Sequence, residues 1–231
     1  MHFDADLIEA RLVRRYKRFL SEMELADGSR ITAHCPNPGS MLGLAAPGSR
    51  CWLSHRPDPR RKLAYGWELV EAAGTLVGIH TGRANAIVEE GLCAGRIPGL
   101  PNAAIAREVR VGAQSRLDFR LADAGGRFCY VEVKSVTLSR QAGLAEFPDA
   151  KTARGAKHLT ELAELAASGH RAVLLFLVQR GDCNRLAPAA DIDPLYAAGL
   201  ARVRQQGVEI LGMACRLSPQ AIELDRPIPL I

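Results

Sequence analysis

At 231 residues and 48% hydrophobic side chains, the chain is long enough for one large or two small domains with a real core, which excludes disordered and fibrous classes. Its formal charge of +5 is a modest basic excess that suits a polyanionic partner without establishing one. Six cysteines with no Cys-x-x-Cys pair and no Cys/His set at zinc spacing exclude a disulfide or zinc scaffold. No apolar run reaches transmembrane length, and Asp4, Asp6 and Glu9 stand where a signal peptide would need an apolar core. The expected setting is therefore a reducing cytoplasm with no membrane partner.

Residues 1–82 read as all-β. Apolar or alternating stretches near Leu7–Leu25, Arg30–His34, Ser49–Ser54, Leu63–Val70 and Leu76–His80 are broken by Asp27-Gly28, Pro47-Gly48 and Pro57-Asp58-Pro59. About five short strands at this spacing suit a small Greek-key barrel, and the OB-fold is the commonest such barrel that holds nucleic acid. Five of the twelve Lys and Arg before residue 84 fall at Arg11, Arg14, Arg15, Lys17 and Arg18, and five more lie between Arg50 and Lys62. Two basic patches are expected there, with solvated strand faces as the other reading. Tyr16, Trp52, Tyr65 and Trp67 could stack unpaired bases or simply fill the core. The segment His34-Cys-Pro-Asn-Pro-Gly-Ser-Met41 reads as a structural turn in which two prolines fix φ and Gly39 permits a reversal.

From about Ala84 helices and strands alternate. Ala84–Leu92 is a short helix carrying Glu89 and Glu90, and Ile105–Val111 is a strand. Next comes a hairpin, Ser115–Leu121 and Phe128–Val136, joined through Asp123-Ala-Gly-Gly. A loop through Phe147-Pro148 leads to a helix capped by Asp149, running toward Ser168 and stopped by Gly169. Ala172–Val178 is a continuous apolar run, the mark of a strand buried on both faces. A helix near Pro194–Gln205 and a strand at Val208–Cys215 follow. The order α-β-β-β-α-β, with a terminal α-β addition, predicts a mixed sheet flanked by helices over residues 83–231.

Both hairpin arms alternate strictly. Leu117, Phe119 and Leu121 oppose Arg116, Asp118 and Arg120, while Val131 and Val133 oppose Tyr130, Glu132 and Lys134. With the turn centred on Gly125, Asp118 lies across from Glu132, their β-carbons roughly 5 Å apart, which costs stability unless a cation lies between them. Asp followed by Glu-x-Lys on adjacent strands is what metal-assisted phosphodiester hydrolysis needs. Two hard oxygen ligands hold Mg²⁺ or Mn²⁺ by the scissile phosphate, and the ammonium orients water or neutralises developing charge. The same residues also fit the wet face of an amphipathic hairpin, with Arg116, Arg120 and Lys134 pairing the acids, and spacing alone does not separate the two.

The helix after the hairpin places Lys151, Arg154 and His158 on one face, with Lys157 on its edge. Cations at a helix N-terminus oppose the macrodipole, a conflict that a bound phosphate would offset. A solvated face balanced by Glu161 and Glu164 is the alternative.

The hairpin within an α-β-β-β-α-β order resembles the restriction-endonuclease-like superfamily, whose signature is Asp followed by (Asp/Glu)-x-Lys. The whole chain more closely resembles the sugar fermentation stimulation protein A family. The matching pieces are His34-Cys-Pro-Asn-Pro-Gly-Ser-Met41, Ser115-Arg-Leu-Asp118, Val131-Glu-Val-Lys134, Phe147-Pro-Asp-Ala150 with Thr152, Arg154-Gly155 and Lys157-His158, and Val178-Gln-Arg180. The resemblance implies an OB-like nucleic-acid-binding domain over 1–82 joined to a nuclease-like domain over 83–231. It also implies DNA binding, RNA being a second candidate, and an association with the regulation of sugar use. It makes Asp118 and Glu132 metal ligands with Glu89, rather than Glu90, as the helix acid that joins them on the metal, Lys134 the catalytic lysine, and Gln179 a polar member of the catalytic site. Leu117 departs from the signature, which often has proline there, and should alter strand entry more than chemistry. The expected nucleic-acid contacts are Arg14, Arg15, Lys17, Arg18, Arg116, Lys151, Arg154, Lys157 and His158. A Mg²⁺- or Mn²⁺-dependent nuclease is the reading; the alternative is a non-specific DNA-binding regulator without catalysis. No Gly-rich nucleotide loop or sugar-active carboxylate pair stands out to support a sugar-metabolising enzyme. The sequence leaves oligomeric state open, a dimer included.

Overall fold

The computed structural model describes residues 1–101, 103–112, 115–122 and 128–231. The expected hairpin turn at Asp123–Gly126 lies outside the described residues.

The N-terminal part is β1 (Ile8–Tyr16), β2 (Leu20–Leu25), β3 (Arg30–His34), β4 (Arg50–His55), β5 (Tyr65–Ala72) and β6 (Thr75–Gly78). The strand order is β3-β2-β1-β4-β5-β6, and a parallel contact of β3 with β5, Ala33 on Tyr65 and His34 on Gly66, closes a five-stranded OB-like barrel with β6 as an added edge. Leu7–Leu25 is two strands, because Lys17 and Arg18 both take left-handed φ values of 47° and 62°. The turn is the three residues Lys17–Phe19, and left-handed positions of that kind usually announce themselves with Asn or Gly, neither of which stands there. Leu12, Met23, Leu53, Trp67, Val77 and Ile79 fill the barrel. Trp67 is fully buried, its indole N–H donating to Leu69 O at 2.9 Å, and Trp52 is buried as well, so both tryptophans are core residues rather than stacking platforms.

A 3₁₀ turn at Thr81–Arg83 leads into α1 (Ala84–Cys93). Then come β7 (Ala104–Val111), β8 (Ser115–Ala122), β9 (Phe128–Val136), β10 (Leu138–Gln141), β11 (Leu144–Phe147), α2 (Ala153–Ala167), β12 (Arg171–Val178), β13 (Arg185–Pro188), α3 (Pro194–Gln205), β14 (Glu209–Leu217) and β15 (Ile222–Pro227). The main sheet runs β15-β14-β12-β9-β8-β7, with β12 parallel to both neighbours and buried on both faces. The segment read as a loop before Phe147-Pro148 is the hairpin β10–β11, which joins β13 in a small second sheet. These strands of four residues are too short to show a period.

β8 and β9 pair in the expected register, Phe119 opposite Val131 and Leu121 opposite Cys129. The strict alternation of β8 does not hold, however. Phe119 and Leu121 pack under α1, whereas Leu117 packs on the other side of the sheet with Tyr130, Leu159 and Leu162 of the α2 layer. The change falls at Asp118, across from Glu108 of β7, which takes φ 48°.

The helix after the hairpin is not capped by Asp149. Thr152 is the cap, its Oγ1 accepting from Gly155 N at 3.0 Å. Asp149 instead reaches the barrel, where its Oδ2 accepts from Met41 N at 3.0 Å and its carbonyl from Ser40 Oγ at 2.6 Å. Gly39 is accordingly required by close approach rather than by a reversal, since a Cβ there would lie 2.3 Å from Asp149 Oδ2.

Candidate active site

A cleft of about 630 Å³ opens between the barrel loop at Asn37–Gly39, the start of α1, the end of β9 and the residues leading into α2. Asn85, Lys134, Ser135, Lys151, Arg154 and Arg18 are among its walls.

Asp118 is tied down at both oxygens. Asn85 Nδ2 donates to Oδ1 and Val133 N donates to Oδ2, each at 2.7 Å. Burial, and then the charge of Glu132, push its carboxyl up to about 6 in spite of those two donors. Glu132 is buried at the centre of the sheet. Lys134 Nζ donates to its Oε1 at 2.6 Å, and His158 Nδ1 meets the same oxygen. Burial pushes Glu132 up, but the hydrogen bond from His158 and the charge of Lys134 outweigh it and hold the carboxyl below its usual range. Arg154 Nε donates toward His158 Nε2 at 3.5 Å, and Lys134 Nζ lies 3.1 Å from the Nδ1 that faces Glu132.

His158 is thus a buried partner of Glu132, 3% exposed, and cannot be the surface phosphate contact expected of it. The signal was in the sequence: Gly155, His158, Leu159 and Leu162 form the buried stripe of α2 at i, i+3, i+4 and i+7. Lys151, Arg154 and Lys157 remain exposed, Lys157 lying 3.8 Å from Glu161. The conflict of these cations with the helix dipole is met by Asp193, which is distant in sequence. Its carboxylate accepts from Thr152 N at 2.9 Å and Tyr196 N at 3.0 Å, serving the starts of both α2 and α3.

Neither helix acid reaches the carboxylate pair. Glu89 binds Arg107 at 3.1 Å, and Glu90 binds the Met1 amino group at 2.6 Å and Arg96 at 3.1 Å. Asn85, one turn before Glu89, makes the contact instead. Gln179 is fully buried beside the cleft wall, its side-chain Nε2 donating to Ser135 Oγ at 2.7 Å, while its backbone carbonyl accepts from Gly78 N of the barrel at 2.9 Å. It joins barrel to sheet and does not touch Asp118 or Glu132.

Several expected phosphate contacts have structural employment. Arg15 donates to the carbonyls of Asn37 and Gly39 at 2.9 Å, Arg18 at 3.0 Å and Ser40 at 3.1 Å, so it moulds the barrel loop. Arg18 donates to Pro38 O at 2.9 Å and still lines the cleft. Arg14 pairs with Glu22 at 2.7 Å, while Lys17 and Arg116 are exposed. Acids neutralise most of the second basic patch: Arg50 pairs with Glu9, Arg56 with Asp4, and Arg60 with Asp58.

No set of three His, Cys, Asp or Glu side chains is placed to hold a metal among the described residues. Two carboxylates suffice for Mg²⁺ or Mn²⁺, which keep waters and substrate oxygens as their other ligands. Glu132 Oε2 is buried with no hydrogen-bond partner among the described residues, and the mutual charge that raises Asp118 is what a divalent cation would relieve. The donor set therefore fits a hard cation held by Asp118 and Glu132.

Comparison with known proteins covers nearly the whole chain. Residues 13–79 match the profile of the SfsA N-terminal OB domain, and residues 82–221 match that of the sugar fermentation stimulation protein RE domain. A sugar fermentation stimulation protein homolog from Rhodospirillum centenum is 55% identical over 100% of this chain and 99% of its own length. The homolog from Roseobacter denitrificans is 52% identical over 100% and 99%. The structure of Pyrococcus furiosus SfsA in complex with Ca²⁺ superposes with a TM-score of 0.90 at 27% identity, covering 100% of this chain and 98% of that one.

Proposed function

As the chain belongs to the sugar fermentation stimulation protein family, we propose that it binds DNA and hydrolyses phosphodiester bonds with Mg²⁺ or Mn²⁺ held by Asp118 and Glu132. The observation that carries this reading is the convergence of half-buried Asp118, buried Glu132 with its unpartnered oxygen, and the Lys134 ammonium, which lines a cleft with a basic mouth. When bound, the cation supplies Lewis-acid polarisation of the phosphoryl group and neutralises its charge. Asn85 and the Val133 N–H orient the Asp118 carboxylate. Lys134 holds the attacking water or neutralises negative charge as it develops, and His158 fixes Glu132. Lys151 and Arg154 hold flanking phosphates at the cleft mouth. The Ca²⁺ in the Pyrococcus furiosus relative supports a divalent site, and the family name supports a role in regulating sugar use.

A second reading is a DNA-binding regulator that does not cleave. It is favoured by the occupation of Glu132 Oε1 by both Lys134 and His158, and by the absence of a helix acid from the pair. Labelled DNA and RNA incubated with purified protein and Mg²⁺, Mn²⁺ or EDTA separate the two. Cleavage that depends on the metal supports the nuclease, whereas binding with intact product under every metal supports the regulator.

A further inference from the structure

A second pocket, of about 460 Å³, lies outside the carboxylate cleft. Neither part of the chain makes it alone. Its walls come from the loop between β4 and β5, from β5 itself, and from the segment entering α1.

Its floor is a buried ion pair. Glu68, 2% exposed, receives Arg83 Nη2 at 2.6 Å and Nε at 2.9 Å. A buried pair of this kind is weak evidence of stabilisation, because desolvating both ions offsets their attraction. Beside it, His80 Nδ1 is enclosed with no hydrogen-bond partner among the described residues. The rest of the ring is partly exposed and lines the pocket, where a ligand with a polar edge would meet it. The rim is cationic. Lys62 has no ion-pair partner among the described residues, and Arg61 lies 3.9 Å from an Asp58 already engaged by Arg60. On the wall stands Tyr65, stacked with His55 at 4.5 Å between ring centroids. Cations, an aromatic ring and polar groups thus line one pocket, and these are the groups that take the phosphate, base face and base edge of a nucleotide. The volume lies in the range of small-ligand sites.

We propose that this pocket binds a single nucleotide, with its phosphate on Arg61 and Lys62, its base against Tyr65 and the base edge toward His80. The pocket stands one wall from the carboxylate cleft. Pro36 lines one and Asn37 the other, and this wall is pinned to the α1 entry by Thr81 N and Oγ1 donating to Pro36 O at 3.2 and 3.1 Å. In calling the ligand a unit of a nucleic acid strand, the proposal rests on the reading given above; the pocket itself does not.

The test is calorimetric titration in EDTA, where no hydrolysis intervenes, of nucleoside 5′-monophosphates and of a short single-stranded oligonucleotide. The wild type should bind both. The double variant Arg61→Ala/Lys62→Ala, altered only at the exposed rim, should bind the mononucleotide about tenfold or more weakly, by analogy with loss of one charge-assisted contact. Arg202→Ala/Arg204→Ala, two exposed cations in the last turn of α3 that line neither cleft, should bind it as the wild type does. Oligonucleotide binding tighter than mononucleotide binding identifies a strand unit, and equal binding a free nucleotide; both support the pocket. No mononucleotide binding at millimolar concentration, or binding equally strong in the rim variant, overturns it. Because cleavage is not the readout, a protein that binds nucleotides but cuts nothing with any metal refutes the nuclease and leaves this pocket standing.

Discussion

Asp118 carries the electrostatic cost of the carboxylate pair. Burial and the charge of Glu132 raise its folded-state pKa to about 6, above the ordinary carboxylate value. Between roughly pH 4 and 6 the folded chain therefore binds more protons than the unfolded chain, and ionising Asp118 removes stability as pH rises through that window. A cation held by the pair needs Asp118 ionised, so the sign reverses on binding. The increase in Tm produced by Mg²⁺ over EDTA should be small near about pH 5 and grow as pH rises through about 6, and Asp118→Asn should flatten it. Equal increases at both ends of that range would contradict the assignment of Asp118. The placing of Asp118 beside Glu132 and Lys134 was legible because hairpin register is a local property, although the alternation of β8 breaks at Asp118. The contact of Asn85 with Asp118 was not, because it depends on which helix packs over which end of the sheet; the stripe of α2 marked His158 as buried but could not name Glu132 as its partner.

At the scale of elements, α2 positions His158 over Glu132, and Gly155 sets how closely α2 approaches α3. Propensity alone says that Gly155→Ala should stabilise a helix by about 0.8–1 kcal/mol. Its Cβ, however, would meet Thr152 Cγ2 at 2.8 Å, the cap Oγ1 at 2.9 Å and Tyr196 Cε2 at 3.0 Å. Overpacking costs about 1–3 kcal/mol and a disturbed cap adds to it. The variant should therefore lower stability in urea unfolding, and a gain would show that the helices are not held at this spacing. The ends of this helix illustrate what sequence can carry. Gly169, at φ 85°, was legible as its stop. The cap was misread because Asp149 and Thr152 are both good caps by residue type, and only the barrel's claim on Asp149 decides between them.

For the whole molecule, the sequence suggested two domains meeting near residue 82, from the change of strand pattern to alternating helices and strands. It could not show that they share a core. Trp52 and Leu69 of the barrel pack in one cluster with Ile87 and Val88 of α1 and with Phe119, Val131 and Leu175 of the sheet. Gly78 N donating to Gln179 O at 2.9 Å and the bridge of Val77 to Arg180 extend the join. An apolar interface of this kind couples its two sides, so thermal unfolding should be a single transition with coincident far- and near-ultraviolet circular dichroism. Two resolved transitions would mean that the halves are energetically independent. The same join brings the loop at Asn37–Gly39 to the carboxylate cleft, which is why a turn that looked merely structural lines the site.

Single-turnover cleavage by the wild type and by Lys134→Ala, across single-stranded and duplex DNA and RNA with Mg²⁺ or Mn²⁺, is the most direct measurement. The ammonium ligates no metal, and its pairing with Glu132 leaves His158 in place to hold that carboxylate. Removing the ammonium from this largely buried pair lowers stability, so the comparison is made where circular dichroism shows the variant folded. There DNA affinity should change little, while the rate falls on the order of a hundredfold or more, as expected for removing one stabiliser of transition-state charge. Metal-dependent cleavage that persists undiminished in Lys134→Ala, or no cleavage of any substrate by the wild type, would contradict a hydrolytic site at Asp118, Glu132 and Lys134.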